Sequence, residues 1–185
     1  MTNKNPDAPG KRRLEDALLQ AIMQQPYSQI TVARLIALAG VTRKTFYLYF
    51  ANRESCLRSL IHRTIQDTML AASRRTQTAA YLWEYYQVHF EIWLENRNFL
   101  SALVKNDLSA AFLQEFMGYI RQDEREFLKQ LCAPIRDDDE DCLIFYVSGY
   151  VALLLNWCYR GFDTPASEMA QKFERLLHFP LISTE

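Results

Sequence analysis

Residues 30–57 read ITVARLIALAGVTRKTFYLYFANRESCL, and the fold of the aromatic run inside them decides the rest of the chain. Phe46-Tyr47-Leu48-Tyr49-Phe50 has the composition of a β-strand. Its neighbours have a helical pattern. Residues 30–40 suit a short helix with Thr31 as N-cap and Gly40 as its stop, while Thr42 can cap a second helix and Asn52 a third. Two short helices joined by a tight turn containing glycine make a helix-turn-helix, whose second helix enters the DNA major groove. At about 100° per residue, Phe50 lies about 40° from Phe46, and Lys44 and Leu48 fall near the opposite side. The run is therefore read as a helix. Phe46 and Phe50 point into a small core with Val32, Leu35, Val41 and Leu57, and Lys44, Thr45, Tyr47, Leu48 and Tyr49 point out. Arg43, in the first turn, can extend off the helix end.

Such an outward surface suits DNA. Arg43 and Lys44 can donate to guanine O6 and N7, and Leu48 can meet a thymine methyl. The hydroxyls of Thr31, Thr42, Thr45 and Tyr47, with the open N–H groups of helix N-termini near Thr31 and Asn52, suit phosphate oxygens. Charge agrees. Residues 1–60 carry nine Lys/Arg against four acids, and residues 61–185 carry 12 against 18, so a net −1 conceals a basic start and an acidic remainder.

The first 60 residues resemble the DNA-binding domain of the TetR family of transcriptional repressors. The likeness rests on the Thr31 start, on AGVTRKTFYLYF, and on the capped Arg53-Glu54 opening of the next helix. It implies base contacts from Arg43 and Lys44, phosphate contacts from Thr31, Thr45, Tyr47 and Arg53, and either role for Tyr49. Three positions depart from the family pattern. Ile36 replaces a small alanine, Arg53 replaces a lysine, and Lys44 stands where a small residue is common, which alters the operator that is read. Beyond residue 60 the resemblance rests on helix number and length and on the closing WCYRGFDTPASEMA.

The remaining chain reads as helix. A polar arm over residues 1–9 precedes a helix from about Gly10 that ends at Pro26, with Leu14, Leu18, Ala21 and Ile22 on one face. A long fourth helix carries Leu57, Leu60, Ile61, Ile65 and Met69, and further helices are expected over about 79–95, 97–105, 109–132, 139–160 and 165–178. Thr164 is expected to cap the last, with Pro165 at its first position. The fold class is all-α, about nine helices, with a helix-turn-helix domain over residues 10–56 and an effector-binding and dimerisation domain over 57–185.

Residues 142–159, CLIFYVSGYVALLLNWCY, are 18 positions without a formal charge. At roughly 27 Å they approach the lower limit for spanning a bilayer. Ser148, Gly149, Asn156 and the aromatic hydroxyl and indole groups dilute the stretch, so a helix buried between subunits is the preferred reading and a membrane partner is not expected. The family resemblance implies a homodimer through the last two helices, with Val151, Leu154, Leu155, Met169, Phe173 and Leu176 as interface candidates. It also implies an effector cavity. Residues 81–162 hold 17 of the 24 aromatics, and Trp83, Tyr86, Phe90, Trp93, Phe116, Tyr146 and Tyr150 are candidate lining, with His89 or Asn156 to orient an apolar or aromatic ligand.

Cys56, Cys132, Cys142 and Cys158 show no C-x-x-C spacing, which argues against zinc and for thiols in a reducing compartment. With no apolar stretch at the N-terminus, a cytoplasmic location is expected. No phosphate loop, H-E-x-x-H or nucleophile elbow is present, and the acidic run 137–141 lacks the glycine of a calcium loop, so neither catalysis nor a cofactor or metal is expected. The leading reading is a repressor released from double-stranded DNA by a small ligand. The alternative is an architectural or co-regulator DNA-binding protein whose C-terminal domain holds a protein partner.

Overall fold

The computed structural model describes residues 9–76, 82–124 and 140–177, and among these there are nine α-helices and no strand. α1 spans Pro9–Gln24, one residue earlier than the sequence suggests, and buries Leu14, Leu18, Ala21 and Ile22 as one stripe. A 3-10 turn follows at Tyr27–Gln29. α2 is Val32–Ala39, capped by Thr31, whose hydroxyl accepts the Arg34 N–H at 3.2 Å. Gly40 stops it in the left-handed region at φ 58°, where an L side chain would be strained. α3 is Arg43–Tyr49 and begins on the Thr42 cap, and α4 is Arg53–Arg75 and begins on a reciprocal Asn52–Ser55 capping box.

α4 crosses the expected boundary at residue 56 without a break. Its first turns close the head, where Cys56 and Leu57 join Leu35, Phe46 and Phe50, and its later turns place Ile65 and Met69 in the body. One continuous core results. Burial of each Leu- or Phe-sized side chain in it contributes about 1.5–3 kcal/mol.

The body contains α5 (Leu82–Glu95), α6 (Arg97–Lys105), α7 (Ser109–Tyr119), α8 (Glu140–Tyr159) and α9 (Ala166–Leu177). α5 lies along α9, and α8 packs on α6 and α7. Fully buried Trp93, Trp157, Tyr86, Phe90 and Phe112 fill the space between them, with edge-to-face contacts such as Trp93–Phe112 and Phe90–Trp157. The helix expected over 109–132 widens at Ile120 into a π-turn, Ile120–Glu124, and its remainder lies outside the described residues. Thr164 does not cap α9 with its side chain as expected. Its hydroxyl donates to Asp163, and its carbonyl accepts the Trp157 indole N–H at 2.9 Å.

Polar contacts also join head and body. Asn106, just past α6, accepts the Tyr27 N–H at 2.5 Å and donates to the carbonyls of Ile22 at 3.1 Å and Ala102 at 2.8 Å. Glu15 of α1 is 1% exposed, accepts the Ser59 hydroxyl at 2.6 Å, and lies 3.1 Å from Arg63 Nε. Arg63 also holds Asp16 at 2.6 Å, so α1 is fastened to α4 by charge as well as by packing.

Candidate nucleic-acid interface

α3 divides as its helical angles require. Phe46 is 0% and Phe50 3% exposed, whereas Tyr47 and Leu48 are 49% and 50% exposed. Arg43 and Lys44 are exposed beside them, and the Arg43 guanidinium carbon lies 5.5 Å from the Tyr47 ring centre. Cations, a phenol hydroxyl and a leucine thus share one outward face. Thr42 and Thr45 are organised on each other: Thr42 Oγ1 accepts the Thr45 N–H at 3.1 Å, and the two hydroxyls are 2.9 Å apart.

Two expected DNA contacts sit elsewhere. Tyr49 is half-buried against the start of α1, where a Cβ built on Gly10 would lie 3.4 Å from its ring and 3.1 Å from the Thr45 methyl. Three residues beyond Phe46, Tyr49 is only about 60° from the inward direction, and α1 covers that flank. Arg53 turns into the head. Its guanidinium donates to the carbonyls of Tyr27 at 2.8 Å, Ile30 at 2.6 Å and Ser28 at 3.3 Å, and lies 4.1 Å over the Tyr27 ring. All three donations leave one nitrogen, Nη1, while the planar guanidinium stacks on the Tyr27 ring, which a compact ammonium does not do as well. No local pattern in the sequence distinguishes this inward arginine from one reaching for phosphate.

Behind the head, α4, α5, α7 and α8 border a partly open cavity of about 30 Å³, lined among the described residues by Met69, Tyr85, Tyr86, His89, Phe116, Ile120, Tyr146 and Tyr150. Five of these were expected. Met69, Tyr85 and Ile120 were missed, although Met69 lay on the inward stripe of its helix. Trp83 is half-buried and away from the cavity, and Phe90 and Trp93 lie behind its wall in the core. Asn156 is on the exposed side of α8. The Tyr86 and Tyr146 hydroxyls share a hydrogen bond of 2.7 Å. His89 Nε2, Tyr150 Oη and Trp93 Nε1 are buried without a hydrogen-bond partner. Burial pushes the His89 imidazole down to about 3, so it is neutral, and pushes the Tyr150 phenol upward, weakly opposed by the nearby Trp93 N–H.

The interface candidates need correction. Val151, Leu154, Met169 and Phe173 are 0–3% exposed within one chain and have no surface left for a partner. Leu155 is partly buried, and Leu176 is exposed. α8 is apolar on nearly every side, so hydrophobicity alone could not choose its faces. The exposed stripe is Phe145, Gly149, Ala152, Asn156 and Tyr159, spaced alternately four and three, with Phe145 76% and Tyr159 81% exposed. By length and composition α8 could also cross a membrane, but its other face is built into the core against α6 and α7.

A small head that presents α3 to solvent, carried by a long helix on a larger helical body, defines a helix-turn-helix DNA-binding regulator. A family model described as bacterial regulatory proteins, tetR family, matches residues 15–60, and one described as transcriptional regulator C-terminal region matches residues 81–179. The chain belongs to the TetR family of transcriptional regulators. Its fold is shared with the fatty acid degradation regulator FadR of Bacillus halodurans, at 19% identity and TM-score 0.64 over 95% of this chain and 97% of that one. It is also shared with LfrR of Mycobacterium smegmatis in complex with proflavine, at 16% identity and TM-score 0.59 over 96% and 100% of the two chains. FadR of Thermus thermophilus in complex with lauroyl-CoA matches at 17% identity and TM-score 0.58 over 95% and 96%. At these identities the likeness is one of fold. No curated protein matches the sequence.

Proposed function

We propose that this regulator is a homodimeric repressor that grips a two-fold-symmetric operator with two copies of α3 and leaves it when a small apolar or aromatic molecule enters the body cavity. The observation that carries the reading is the outward face of α3, where Tyr47 and Leu48 are half exposed beside Arg43 and Lys44. Such a face is unfavourable in water and complementary to a major groove. Arg43, Lys44 and Leu48 read bases, and Thr31, Thr42, Thr45 and Tyr47 meet phosphates. The dimer forms through the exposed α8 stripe from Phe145 to Tyr159 together with Leu176, where Gly149 and Ala152 let two backbones approach. Complexes of the same fold with lauroyl-CoA and proflavine support a ligand site in the body.

Selection of bound sequences from random DNA with the purified chain tests the reading. A two-fold-symmetric site whose halves are about one helical turn apart, or a multiple of it, is expected. Enrichment without symmetry would overturn the dimeric operator. One observation favours the alternative, a body that binds a protein partner: a cavity of about 30 Å³ holds one or two waters and no organic ligand until it opens. Titration of operator complexes with apolar compounds decides between them, because release requires a ligand with different affinity for the two states.

A further inference from the structure

We propose that the body cavity takes an uncharged molecule with a flat apolar body and one hydroxyl or carbonyl group, which His89 and Tyr150 hold by hydrogen bonds. This rests on the reading of the cavity as the effector site and specifies the chemistry of its occupant.

Three observations carry it. The first is the lining: among the described residues, the eight that line the cavity include no Lys, Arg, Asp or Glu. A carboxylate, phosphate or ammonium held against these residues would lose hydration with no opposite charge among them to meet, which disfavours it. His89 offers no cation either, since burial keeps its imidazole neutral down to about pH 3.

The second is the set of unmet hydrogen bonds. His89 is 5% and Tyr150 5% exposed, and Nε2 of one and Oη of the other lack partners. Both residues line the cavity, from α5 and α8, with the two atoms themselves sealed beneath its surface. The Trp93 indole N–H, one turn beyond His89 on α5, lies near the Tyr150 oxygen without a well-formed hydrogen bond, so it meets the phenol only weakly. Buried polar groups are nearly always satisfied, and each one that is not destabilises the empty state. Tyr86 and Tyr146 satisfy each other across the same space, so the deficit falls on His89 and Tyr150. A neutral imidazole and a phenol can each donate or accept, which suits a single hydroxyl or carbonyl between them.

The third is shape and room. Tyr85, Tyr86, Phe116, Tyr146 and Tyr150 supply flat ring surfaces, which favour a planar body by stacking and edge contacts. The half-buried Tyr85 and Tyr146 are the lining rings nearest solvent, and the cavity must widen to take a ring-sized molecule. The π-turn that starts at the lining residue Ile120 interrupts the regular helical ladder on that wall, a device common beside binding sites.

The test uses the full chain without DNA. Titration calorimetry and tryptophan fluorescence are followed with 4-alkylphenols and 4-alkylacetophenones from methyl to hexyl, the matching alkylbenzenes, and the matching 4-alkylbenzoates. Members of the phenol or acetophenone series are expected to bind and the benzoates are not. Tyr150→Phe and His89→Leu should each weaken the bound polar series by up to roughly tenfold and leave the alkylbenzenes unchanged. The His89→Leu variant should melt at or above the wild-type temperature, because it removes an unmet polar group. Binding of benzoates as tight as that of phenols, no binding of either polar series at millimolar concentration, or equal binding to wild type and both variants would overturn the proposal. So would a His89→Leu variant that melts well below wild type, since the imidazole would then be holding a structural water. Loss of the operator reading would leave these titrations unaffected, and their failure would leave operator binding standing.

Discussion

Replacing Arg53 separates two roles that the sequence alone cannot distinguish. As a phosphate contact, Arg53 would add affinity for any DNA and little to folding. The structure instead has it bracing the α1–α2 connection, with donations at 2.6 and 2.8 Å, a longer one at 3.3 Å, and the guanidinium 4.1 Å over Tyr27. A hydrogen bond from a charged donor contributes about 1.5–3 kcal/mol, and an exposed cation–π contact about 0.5–1 kcal/mol. The three bonds share one nitrogen and the side chain is partly solvated, so the full sum does not apply, and Arg53→Ala should cost about 2–3 kcal/mol. For a chain of this size that corresponds to a fall in Tm of roughly 5–10 °C. Arg53→Lys keeps the charge but loses the planar group over Tyr27 and shortens the reach to the carbonyls, and should recover only part of the loss. The assay is urea denaturation of the free protein beside operator binding at several salt concentrations. If Arg53→Ala left stability within about 0.5 kcal/mol of wild type and lowered the salt slope of DNA binding by about one, the bracing role would be refuted.

On the reading surface, Arg43→Ala should cost roughly 1–3 kcal/mol on the selected operator and relax the preference at one base pair, and Tyr47→Phe should weaken all sequences about equally, both measurable by competition binding. Phe145→Glu combined with Tyr159→Glu would bury like charges at a two-fold contact, so sedimentation should show a monomer with an unchanged helical spectrum. His89 titrates near 6.5 when unfolded but near 3 when folded, so the unfolded chain binds the extra proton and stability falls as pH drops through that interval. Wild type should lose up to about 1.4 kcal/mol per pH unit more than His89→Leu between pH 6 and 4, as read from urea midpoints.

Local chemistry made the head readable. Thr31, Thr42 and Asn52 announce helix starts because only such side chains accept the open N–H groups, and Gly40 marks a left-handed stop, so four boundaries follow from four residues. The split of Phe46 and Phe50 from Tyr47 and Leu48 is a matter of angle alone. The body is different. α8 is apolar all round, and choosing Phe145 over Val151 as its outer side requires knowing that α6 and α7 occupy the other. Tertiary packing likewise placed Trp93 behind the cavity wall and His89 at its lining, since both belong to one apolar stripe of α5. The inward contacts of Arg53 were not legible because its partners are backbone carbonyls more than twenty residues away, which no side-chain pattern encodes.

The Asn106 contacts bear on how this protein can be recombined. A single amide beyond α6 takes up the Tyr27 N–H and the Ile22 carbonyl, so the turn that leads into the DNA-reading helices is completed by a residue 79 positions further along. Heads and bodies exchanged between relatives at α4 would separate those partners. A hybrid sensor built from this chain therefore needs its seam elsewhere, or an asparagine carried across with the head.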